Sequence, residues 1–117
     1  MNVRPLAVQD IDLKGCGMTL TQPAGGTFFV ADAQGAARIR LGDERVKLSR
    51  QQASGASLPG GQQEVQLFAD PTGQVQVKVQ LSVAGAAHAG RQSVLAQLEV
   101  DTPSGFNLLS MAGETGC

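Results

Sequence analysis

The chain has no tryptophan and no tyrosine, and its aromatic content is only 3%, all of it phenylalanine. Stacking platforms for bases or sugar rings are therefore scarce, and the core has to be filled by Val, Leu, Ile and Ala. A single histidine rules out a His cluster within one chain. The formal net charge of −1 lacks the basic excess of a general nucleic-acid or anionic-membrane binder. No window approaches the roughly 18 consecutive apolar residues of a membrane-crossing helix, and the N-terminal residues have no apolar signal-peptide region. No glycine pair is followed by Lys-Ser/Thr, so a phosphate loop is absent too. Helical periodicity is missing throughout.

What is present is alternation. In residues 74–84, Val75, Val77, Val79, Leu81 and Val83 occupy every second position between Gln74, Gln76, Lys78, Gln80 and Ser82. A period of 2 in β-branched residues marks a half-buried strand. The same in-and-out pattern recurs at Val94, Ala96, Leu98 and Val100, at Ala37, Ile39 and Leu41, and at Val46 and Leu48. Around residue 67 the pattern places Val65, Leu67 and Ala69 on one face and Gln66 and Phe68 on the other.

Turn signals punctuate these runs. Asp32-Ala33-Gln34-Gly35 offers an Asp that bonds its own backbone and a Gly for positive φ; Gly42-Asp43, Asp70-Pro71-Thr72-Gly73 and Thr102-Pro103-Ser104-Gly105 turn the chain again. Residues 51–63, rich in Gly, Ser and Gln, have no period and read as a mobile loop or crossover, and residues 84–90 as a small-residue loop. Residues 1–10 read as a loosely ordered lead-in to one β domain spanning 1–117, with a short edge strand over 8–13. The expectation is an all-β antiparallel meander of seven or eight strands, closing as a sandwich or a partly open barrel.

Candidate chemistry is sparse. Cys16 and Cys117 are the only cysteines, and a bond between them would close nearly the whole chain, so a structural disulfide leads over unpaired thiols and over a redox or metal role. His88 lies among Ala and Gly and reads as a solvated loop residue. Met18 and Met111 read as core filling rather than soft-metal ligands. No serine sits in a nucleophile elbow and no carboxylate pair has an acid–base context, so no catalytic residue, cofactor or metal is expected. The sharpest surface feature is the hairpin carrying Arg38, Arg40, Arg45 and Lys47. With Gly42-Asp43 as its turn, Arg40 falls opposite Arg45 and Arg38 opposite Lys47, away from the apolar face. Such a cationic face either guards an edge or meets an acidic protein partner.

The segment GGTFFVADAQGAARIRLGDERVKL, with Gly15-Cys16 and the closing Gly116-Cys117, resembles small exported bacterial all-β proteins of unassigned activity. The resemblance covers about a third of the chain. It implies a periplasmic or secreted location where an export signal has been trimmed, the cytoplasm being the alternative, and it implies no reaction. The functional expectation is a non-catalytic binding or accessory domain of the cell envelope. The rival is an enzyme inhibitor or immunity-type protein acting through an exposed loop at 51–63 or 84–90.

Overall fold

The protein was analysed as a computed structural model that describes residues 2–7 and 15–117. The strand expected over residues 8–13 lies outside the described residues. Among the described residues nine strands follow in order: β1 (Val3–Arg4), β2 (Gly17–Thr21), β3 (Thr27–Asp32), β4 (Ala36–Leu41), β5 (Glu44–Leu58), β6 (Gln62–Ala69), β7 (Gln76–Val83), β8 (Arg91–Thr102) and β9 (Gly105–Gly116). From β2 onward each strand pairs antiparallel with the next, and β9 returns to β2 with Gly17 opposite Gly116 and Thr21 opposite Ala112. The result is a closed eight-stranded up-and-down barrel plus one extra strand, not a sandwich. Closure leaves a sheet with no full-length edge.

The alternation read from the sequence places the core. Val75, Val77, Val79 and Leu81 from β7 and its approach, and Val94, Ala96, Leu98 and Val100 from β8, are buried along the axis. Val83, expected on the same face, is 57% exposed because it ends β7 beyond the packed interior. Phe29 and Phe68 meet edge-to-face with ring centroids 5.3 Å apart, and Met18, Leu20, Ile39 and Met111 fill the space around them. A barrel of eight strands is just wide enough to be filled by side chains, as this one is. On β6 the inward face is the less apolar set, Gln66 and Phe68, while Val65 and Leu67 stand half-buried outside.

Residues 51–63 correct the expectation of a loop. They continue β5, pass through a tip at 59–61, and begin β6. β5 pairs with β4 up to Ser49 and with β6 from Ser49 onward, and register shifts between Arg50 and Gln52 and between Ser54 and Ser57 bend it across the barrel end. The tip packs on the seam: a Cβ on Gly60 would stand 2.7 Å from the Gly17 carbonyl oxygen, and one on Gly61 would stand 2.8 Å from that of Ala33. Beneath it lies a hydrogen-bonded plug. Gln62 Nε2 donates to the Asp32 and Gly60 carbonyls at 3.2 and 2.9 Å, Gln66 Nε2 donates to Gln62 Oε1 at 3.0 Å, and the Arg50 guanidinium donates to Gln66 Oε1 at 3.0 Å and to the Gly61 carbonyl at 2.9 Å. Buried polar groups are tolerated here because they satisfy one another.

Of the lead-in, residues 2–7 are described. Val3 and Arg4 pair with Leu41 and Arg40, the Gly42 N–H donates to the Asn2 carbonyl at 2.8 Å, and the buried Leu6 donates to the Thr27 carbonyl at 2.8 Å. Residues 2–7 thus extend the sheet where β3 leaves β4.

Candidate protein-contact face

The hairpin β4–β5 turns at Gly42-Asp43, with Leu41 opposite Glu44, Arg40 opposite Arg45, Ile39 opposite Val46 and Arg38 opposite Lys47. Ile39 and Leu41 are buried, so the intervening side chains stand on the outer face of the barrel. β1 adds a residue that sequence reasoning missed, since Arg4 lies beside Arg40 in the register. Arg4, Arg40 and Arg45 form one row across three strands at about 4.8 Å spacing, and Arg38 and Lys47 form a second row about 7 Å along. Five of the chain's nine Lys and Arg residues share this face. Nothing in the sequence around Arg4 signals its place there, because a two-residue strand has no period to read.

Like charges opposite one another oppose folding. Part of the offset is local: Arg40 Nε donates to the Gly42 carbonyl at 3.2 Å, and its guanidinium lies 3.8 Å from the almost fully exposed Asp43 carboxylate. Asp32 serves a different purpose, accepting hydrogen bonds from the Gln34 and Ala36 N–H groups at 2.9 Å to fix the β3–β4 turn. Glu99 lies in the register opposite Lys78 on the far side of the barrel. Five basic residues thus share one outer face in two rows.

Cys16 and Cys117 form a disulfide that joins the segment entering β2 to the end of β9, across 101 residues of sequence. It fastens the two strands whose pairing closes the barrel. Such a bond is compatible with an oxidising, exported location. Beside it, an open cleft of about 520 Å³ runs over the outer face of the β2–β9 seam, floored by Gly17, Thr19 and Gly116 and edged by an Arg91–Glu114 ion pair at 3.2 Å. Compared with family models, curated proteins and solved structures, the chain matches none.

The remaining candidates do not converge. His88 is exposed in residues 84–90, where its backbone exchanges hydrogen bonds with Arg91 at 2.7 and 2.9 Å. Met18 and Met111 are buried in the core. Among the described residues no three His, Cys, Asp or Glu side chains come together as a metal site, and no helix is long and apolar enough to cross a membrane. What the described surface offers is an outer sheet face carrying Arg4, Arg38, Arg40, Arg45 and Lys47.

Proposed function

We propose that the chain is a non-catalytic binding or accessory domain of the bacterial cell envelope, and that its basic face seats an acidic protein partner. The observation that carries this reading is the two-row array of Arg4, Arg38, Arg40, Arg45 and Lys47 on one outer face of a chain whose net charge is −1. A side-chain-filled barrel supplies a stiff platform for the array, and functional recognition resides in such a site rather than in the fold. The disulfide supports placing the protein in an oxidising compartment. No aromatic side chain lies in the array's strand positions, which favours a protein carboxylate surface over nucleic acid.

Affinity capture from native envelope extract, run in parallel with the native protein and with the double variant Arg4→Glu, Lys47→Glu, tests this reading. A stoichiometric acidic protein retained by the native form and lost by the variant is the expected result; equal retention by both contradicts it. A second reading, inhibition of an enzyme, rests on the run of exposed residues 84–90, held at its base by the Ala84 N–H to Ser93 carbonyl bond and by Gln92 Nε2 to the Gly85 carbonyl, both 2.9 Å. Capture of an enzyme that the charge reversal leaves bound, and whose activity falls on binding, favours that alternative.

A further inference from the structure

The polar plug under the hairpin tip ends on a cation. Arg50 shares a face of β5 with the buried Leu48 and pairs with Phe68 on β6, so its side chain turns inward, on the opposite face of the strand from Arg45 and Lys47. Its guanidinium sits where the plug meets solvent: Gln62 and Gln66 are 1% and 0% exposed, whereas Arg50 is half-buried. Nη1 donates to the Gly61 carbonyl at 2.9 Å and to Gln66 Oε1 at 3.0 Å, which commits that nitrogen. From there the hydrogen bonds run through neutral groups alone, Gln66 Nε2 to Gln62 Oε1 and Gln62 Nε2 to the Asp32 and Gly60 carbonyls. The neighbouring carboxylates serve the backbone instead: Asp32 accepts from the Gln34 and Ala36 N–H groups, and Glu64 from the Ala56 N–H at 2.6 Å. Among the described residues no carboxylate forms an ion pair with Arg50.

What the plug leaves over is the other edge of the guanidinium. Nε–H and the adjacent Nη2–H point the same way, in a fork that matches two oxygens of one carboxylate or phosphate group. Among the described residues neither nitrogen donates to a protein acceptor. The head group is also held in place by the fold itself. Its two Nη1 bonds orient it, and it packs against Gly35, where a Cβ would stand 3.3 Å from Nε and 3.5 Å from Cζ. We infer that the Nε–Nη2 edge of Arg50 is a binding site for an oxyanion group, a carboxylate or a phosphate, gripped in bidentate fashion beside Gly35 and Gly61.

The electrostatics point the same way. A half-buried cation bonded only to neutral acceptors carries a desolvation cost that no opposite charge offsets, and an anion on the open edge provides that charge. A side chain already oriented loses little further rotamer freedom when the anion arrives. A purely structural role, donation to Gly61 and Gln66, uses one nitrogen and leaves the fork idle. The site does not depend on the acidic-partner reading, because Arg4, Arg38, Arg40, Arg45 and Lys47 stand on the outer face of the barrel.

An NMR titration of the oxidised native protein with sodium acetate and, separately, with inorganic phosphate, at an ionic strength held constant with sodium chloride, tests the site. A saturating shift of the Arg50 Nε–H resonance is expected for at least one of the two anions, with the Gly35 and Gly61 amides following the same isotherm; the tighter anion identifies the group. Arg50→Lys keeps the charge but loses the fork, and weakens the binding read at Gly35 and Gly61 roughly tenfold. The double variant Arg4→Glu, Lys47→Glu leaves it unchanged. An unmoved Arg50 Nε–H resonance, a linear drift that chloride reproduces, or saturation that disappears with Arg4 and Lys47 overturns the inference. So does equal affinity in Arg50→Lys; should that variant not fold, the native titration and the charge-reversed control still decide.

Discussion

At the scale of single residues, the alternation in β7 separates two neighbours completely. Val79 is fully buried and Gln80 is exposed. Val79→Asp puts an uncompensated carboxylate into the packed axis, a cost of about 4 kcal/mol or more that takes most of a domain's typical stability, while Gln80→Asp stays within about 0.5 kcal/mol. Urea midpoints of the two variants check this, and equal losses would contradict the assigned faces. Asp70 gives a pH signature: hydrogen bonds from the Val75 N–H first, and also from the Thr72 hydroxyl and the Gly73 and Gln74 backbone, hold its carboxyl below the ordinary carboxylate value. A depressed folded value means that its stabilising contribution is complete above the ordinary pKa and is lost as pH falls below it through the folded value. Removing the group by Asp70→Ala should therefore flatten the acid limb of stability below about pH 4, and an unaltered limb would refute the contribution. The core on β7 and β8 was legible in sequence because one face there is dry and the other wet. The face of β6 was not: Gln66 is buried and satisfied by Arg50 and Gln62, a partnership that no local pattern announces.

At the scale of elements, the β5–β6 hairpin shows why residues 51–63 read as a loop. All of residues 51–57 are exposed, so neither face selects apolar side chains, and two register shifts break whatever period remained. The hairpin's tip is a lid on the disulfide end, and Gly60 is the position that lets it close. Gly60 combines a φ of +78° with backbone atoms of Gly17 and Gly116 within 3 Å of where a Cβ would lie. Gly60→Ala costs about 1–2 kcal/mol for the left-handed conformation alone, and the clash with backbone adds to it. Hydrogen exchange at Gly17, Gln62 and Gly116 should quicken in this variant while the amides of Val77 to Leu81 keep their protection. Uniform quickening everywhere would mean that the tip belongs to the core rather than lying over it. The turns at Asp32 and Asp70, by contrast, were fully legible, since Asp side chains bonding the backbone a few residues on are a local event.

At the scale of the molecule, barrel closure and charge distribution are properties that no segment carries alone. The strand-by-strand meander was readable, but sandwich and barrel differ only in whether the last strand meets the first. The β2–β9 pairing and the Cys16–Cys117 bond answer that. The extra strand β1, paired with β4, brings Arg4 beside Arg40, so a four-residue hairpin patch becomes a five-residue face built from three strands. Fields between exposed charges are screened over about 8 Å at physiological salt and act on approach more than on residence. The central claim is that this face steers an acidic protein partner, and the measurement is the partner's association rate as a function of ionic strength for the native protein and for Arg4→Glu, Lys47→Glu. Arg4 and Lys47 are both exposed, so the variant should fold within about 0.5 kcal/mol of the native protein. The account predicts slower association with a markedly shallower salt dependence in the variant and a much smaller change in dissociation; identical salt slopes for the two proteins would contradict it.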